Sequence, residues 1–121
     1  MIGPNALIYG DNLDVLRRHI ADESVDLVYL DPPFNSNANY NVLFGGKGGS
    51  RSAAQVQAFA DTWHWDDAAA RAYQETVEAG GGAAEALRAF KQLIGRNGGD
   101  MMAYLAMMAP RLTELRRVLK P

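Results

Sequence analysis

A carboxylate, two prolines and an aromatic ring stand in succession at Asp31-Pro32-Pro33-Phe34. Recognition of an exocyclic amine on a nucleobase is the chemistry that wants these types in this order. Such an amine is a poor nucleophile, because its lone pair is delocalised into the ring. A carboxylate and a backbone carbonyl that accept its two N–H bonds pull the nitrogen toward a tetrahedral, reactive geometry, while a nearby ring stacks on the extruded base. Asp31, the Pro32 carbonyl and Phe34 supply those three parts. Read alone, the same four residues also describe a turn or N-cap aspartate followed by a proline-stiffened loop and a core phenylalanine.

Positioning these groups falls to the residues upstream. Leu27 to Leu30 is an apolar run of the kind that forms a buried strand. Pro32 disfavours the helical region for Asp31, and Pro33 does the same to Pro32, so the chain should leave the strand stiff and extended. Asp31 is thereby expected at the carboxyl end of a strand, where ligands bind in open α/β sheets. Ala6 to Tyr9 reads as an earlier strand that stops at Gly10-Asp11. Asp11 fits the N-cap of a helix with Asp14 in its first turn and Leu13, Leu16 and Ile20 on one face. Arg17 and Arg18 suit its carboxyl end. Two strands joined by a helix in so short a span predict a right-handed parallel βαβ unit.

Asp31-Pro32-Pro33-Phe34, preceded by Leu7-Ile8-Tyr9-Gly10-Asp11-Asn12-Leu13 and followed by Asn35-Ser36-Asn37-Ala38-Asn39-Tyr40-Asn41, resembles the β-class DNA amino-methyltransferases. The likeness continues through Asp61-Thr62-Trp63-His64-Trp65 and Met101-Met102-Ala103-Tyr104-Leu105 to Val118-Leu119-Lys120-Pro121, nearly the whole chain. It implies an α/β architecture, a partial Rossmann-like fold with a parallel βαβ unit and a helical insertion. The implied activity is transfer of a methyl group from S-adenosylmethionine to the N6 amine of adenine in double-stranded DNA, with the target base flipped out. Asp at the first motif position resembles the adenine-N6 branch, although the same motif serves N4 of cytosine. Asp31, Pro32, Pro33 and Phe34 would be catalytic, Phe34 stacking on the base, and Asp11 would lie near the cofactor. Tyr40 is a candidate second ring for the base, or an anchor for its own loop. A restriction subunit or a second copy of the chain are the protein partners such an enzyme would have. The other class of reading is a non-catalytic segment that holds nucleic acid or a partner subunit.

Composition bounds these readings. The chain has 121 residues, is 48% hydrophobic and carries a net charge of −2, which suits one domain and offers no strong basic field for DNA phosphates. Cysteine is absent, and neither His19 nor His64 sits in a metal-ligand spacing, so no metal is expected. No apolar run approaches the ~20 residues needed to cross a bilayer, and no export signal is evident, which makes a cytoplasmic protein the expectation.

Beyond the motif, Phe44-Gly45-Gly46-Lys47-Gly48 formally matches a cofactor loop, but no long buried strand feeds it and Gly49-Ser50-Arg51-Ser52 follows it. It reads as a flexible loop whose Lys47 and Arg51 are free to meet phosphates or water. Helices are expected over Ala53 to Ala60, Ala68 to Ala79 and Ala83 to Ile94, with residues from about 45 to 99 forming the insertion. A last helix begins at Asp100, with Met101, Leu105, Met108, Leu112, Leu115 and Leu119 on its apolar face and a kink or break at Pro110. Residues 1–121 would then be the amino-terminal part of one catalytic domain, lacking the downstream cofactor loop and target-recognition region and weakly active alone.

Overall fold

The computed structural model describes residues 3–32, 39–42, 56–60, 63–95 and 99–121, the two short stretches 39–42 and 56–60 by their backbone. Two compact units divide the chain: Met1–Leu30 with His64–Pro121, and Asp31–Trp63.

The first unit is helical. Its elements are α1 (Asn12–His19), α2 (Asp67–Ala79), α3 (Gly81–Ile94) and α4 (Gly99–Val118). α1 begins as its sequence demands: Asp11 is the N-cap and accepts the Leu13 amide at 2.8 Å, while Arg17, Arg18 and His19 occupy the last turn. Asp66 caps α2 in the same way, its Oδ1 accepting the Ala69 amide at 2.9 Å. Between α2 and α3 the chain turns on a single residue, Gly80, whose φ of 75° is a conformation that a side chain would strain.

Small residues make the core. Ala69, Ala84, Ala103 and Ala106 are essentially inaccessible, joined by Leu87, Met102 and Val118. Alanine at a helix contact lets two backbones approach closely, and α2, α3 and α4 pack pairwise around these positions. α4 crosses Pro110 as one helix rather than two. Its buried positions are Met102, Ala103, Ala106, Pro110, Arg111 and Val118, whereas Met101 and Leu112, expected on the apolar face, are exposed. The buried stripe is thus not the one that hydropathy alone selects: between Met102 and Ala106 alanines rather than long side chains mark the closest approach. On α3, Leu87 is buried, whereas Phe90 and Leu93 are exposed.

The Rossmann-like α/β architecture with a parallel βαβ unit is not what the chain forms. Residues 6–9 and 27–30, expected as parallel strands, belong to no strand among the described residues, and Leu7, Tyr9, Leu27 and Tyr29 are each at least 79% exposed. An apolar run becomes a strand only when neighbours complete its ladder and cover its faces, and among the described residues no strand pairs with these runs. What remains of a parallel relation is one bridge, Val25 with Leu119. It closes the carboxyl end of α4: the Glu23 amide donates to the Arg117 carbonyl at 3.0 Å, and the Ser24 and Val25 amides donate to the Val118 carbonyl at 2.8 and 2.9 Å.

The second unit contains β1 (Asn39–Val42) and β2 (Val56–Ala60), paired antiparallel. Tyr40 is opposite Phe59 and Asn41 opposite Gln57, so the register shifts between them at Ala58. Residues 56–60, expected as part of a helix, are therefore a strand, and Asn39 to Asn41, expected as loop, are its partner. Val56-Gln57-Ala58-Phe59-Ala60 alternates enough to serve either period, and pairing decides it.

Candidate active site

Asp11 belongs to the helical unit and is held more firmly than its capping role requires. From the middle of α4, Arg111 directs Nη2 at both Asp11 oxygens, 2.7 Å to Oδ1 and 2.9 Å to Oδ2. Arg111 Nε donates to Asn12 Oδ1 at 2.8 Å, and Nη1 donates to the carbonyl of Met107, one turn back on its own helix, at 2.7 Å. The two partners differ in environment: the Arg111 side chain is 10% exposed and that of Asp11 is 51% exposed. An arginine is suited to this position because its planar fork addresses a carboxylate, an amide and a carbonyl at once. Nothing in the hydropathy pattern marked Arg111 or Asn12. The available signal was an arginine four residues after Met107 and eight after Ala103, on the stripe of α4 that proves to be buried.

A second arginine anchors the other end of α1. Arg117 donates from Nη2 to the Leu16 carbonyl at 2.8 Å and from both terminal nitrogens to the Ile20 carbonyl at 3.2 Å. It also pairs with Asp22 and, through Nε, with Glu114 at 2.6 Å. Hydrogen bonds that it donates to Glu114 and then to Asp22 raise the guanidinium above its ordinary pKa, more than desolvation lowers it. Its contribution is complete at every pH below that ordinary value and is lost only as pH rises through the raised one, so this anchor does not titrate on the guanidine side near neutrality.

Of the motif itself, Asp31 is exposed and Pro32 half-buried, both in the second unit. Pro33 and Phe34 lie outside the described residues, as do Asn35 to Ala38 and the glycine-rich stretch with Lys47 and Arg51. Tyr40 is placed in β1 by its backbone, and its side chain is outside the description. Two cavities, of about 520 and 600 Å³, lie in the helical unit, and neither is lined by Asp11. The Trp-His-Trp stretch is put to structural use. Trp65 meets Tyr73 edge-to-face at 6.0 Å, with Lys91 Nζ 4.4 Å from the Tyr73 ring and 5.7 Å from that of Trp65. His64 Nδ1 is 3.3 Å from Asp100 Oδ1, in the first turn of α4. Among the described residues no group of three or more His, Asp or Glu is placed to hold a metal ion, and no helix is long and apolar enough to cross a membrane.

The chemistry open to these groups is that of hydrogen-bond acceptors. Asp31 offers an exposed carboxylate, and Asp11 offers one that is already oriented. No family model, curated protein or solved structure matches the chain.

Proposed function

We propose that the chain carries the catalytic motif of a DNA amino-methyltransferase that moves a methyl group from S-adenosylmethionine to the N6 amine of adenine. Asp31 and the Pro32 carbonyl accept the two N–H bonds of the amine, Phe34 stacks on the flipped base, and Asp11 adjoins the cofactor. The ordered set of motifs, from Gly10-Asp11-Asn12 through Asp31-Pro32-Pro33-Phe34, carries this reading. The exposure of Asp31 is compatible with it, because a carboxylate that grips a substrate amine must be free of protein donors beforehand. Since cytosine presents a similar amine at N4, the test includes both bases. Labelled S-adenosylmethionine is incubated with adenine–thymine duplex DNA, or with duplex DNA in which cytosine pairs with hypoxanthine, so that adenine or cytosine is the only base bearing an exocyclic amine. Label in adenine that disappears with Asp31→Ala is the expected result, and label that survives the substitution overturns the role of Asp31.

One observation favours a second reading, in which the chain holds a partner. Leu7, Tyr9, Leu27 and Tyr29 expose large apolar side chains in the stretches before and after α1, and large exposed apolar surface marks interaction sites. Methyl transfer that depends on Asp31 distinguishes the first reading from this one.

A further inference from the structure

The cavity of about 600 Å³ is lined by residues from all four helices, and its size is that of a small-molecule site. Its acceptors are short of donors. Glu114 is mostly buried, its side chain 18% exposed; Oε2 accepts from Arg117 at 2.6 Å, but Oε1 has only Arg17 Nε, 3.8 Å away and too far for a hydrogen bond. Glu75 Oε1 meets Arg17 at 3.6 Å, and Glu75 accepts no hydrogen bond among the described residues. Thr76 is 7% exposed and gives its hydroxyl proton to the Ala72 carbonyl at 2.9 Å, while no donor among the described residues reaches its lone pairs. Covered acceptors of this kind are ordinarily paired, so three together call for a donor.

Other parts of the lining are rich in donors. Arg116 has no acceptor among the described residues. Gly82 and Ala83 bring the start of α3 to the cavity, and α3 has no side-chain cap, so the amides of its first turn keep their donors and the positive end of its dipole. Ala79, Ala83 and Pro110 add apolar surface. Arg17 and Arg116 balance Glu75 and Glu114, and a lining without net charge selects a neutral ligand with both signs over a phosphate or a simple organic cation.

We infer that this cavity binds an α-amino acid as its zwitterion: the ammonium donates to Glu75, Thr76 and Glu114, the carboxylate accepts from Arg116 and the first amides of α3, and an aliphatic side chain rests on Ala79 and Pro110. The full 121-residue chain is titrated with L-leucine while the amide resonances of Gly82 and Ala83 are followed by NMR. Saturable shifts at millimolar leucine are expected, with isocaproate, which lacks the ammonium, and isoamylamine, which lacks the carboxylate, each binding about tenfold more weakly. Arg116→Gln is expected to weaken leucine and isocaproate but not isoamylamine, and Glu75→Gln to weaken leucine and isoamylamine but not isocaproate. Both residues are exposed, so neither substitution disturbs the core. Absence of saturable shifts up to about 10 mM leucine overturns the site. Leucine that binds no more tightly than its two fragments overturns the zwitterion, and leucine that binds both variants within about twofold of wild type overturns the assigned contacts.

Discussion

At the scale of single residues, Asp11 and Arg111 form an unequal pair, and the inequality has a consequence for stability. Removing Asp11 strands a guanidinium that is 10% exposed, whereas removing Arg111 leaves a carboxylate that is 51% exposed and already half in water. Breaking a buried pair costs most when the group left behind is the buried one. Asp11→Ala should therefore destabilise the chain by about 3 kcal/mol, the stranded charge adding to a lost N-cap, while Arg111→Met should cost only about 1 kcal/mol. Urea unfolding of the two variants checks this, and equal losses would show that the pair is not asymmetrically buried. Asp31 contrasts with Asp11. It was expected at the carboxyl end of a strand, and residues 27–30 form none among the described residues.

At the scale of elements, α4 shows how hydropathy misplaces a helix face. Met101 and Met102 are neighbours of one type, yet the first is exposed and the second is 2% exposed. Met102→Ala should lose about 3 kcal/mol by opening a cavity, whereas Met101→Ala should stay within about 0.5 kcal/mol of wild type. Thermal unfolding of the two variants separates them, and a large loss at Met101 would restore the face that hydropathy selects. The helices themselves were legible from local signals. Asp11 caps where a cap was expected, and α2 and α3 fall within about two residues of the ranges expected for them. The stretch 56–60 was not legible, because its apolar residues fit two periods and only its pairing with 39–42 distinguishes them.

At the scale of the molecule, the helical unit holds together through small side chains and two arginines rather than through a sheet. α1 is attached to α4 at both ends, by Arg111 at its start and Arg117 at its close. The apolar runs that flank α1 contribute little to this. Leu27 and Tyr29 are 79% and 89% exposed, so Leu27→Lys and Tyr29→Lys together should leave unfolding stability within about 0.5 kcal/mol. A steep fall in stability would mean that these residues are covered after all.

The amino-acid sequence by itself determined the start of α1 at its aspartate cap, the approximate spans of the other three helices, the acid-proline-proline-aromatic order at 31–34 and the lack of cysteine. Each of these depends on neighbours within a few residues, where sterics and capping act without help from the rest of the chain. Tertiary structure alone decided that the runs at 6–9 and 27–30 join no sheet, that 56–60 pairs as a strand, and that α4 turns its alanines inward. It also decided that Arg111 meets Asp11 across a hundred residues. Strand pairing, close helix contact and a buried ion pair are relations between distant segments, and an apolar or charged residue carries no local mark of the partner it will find.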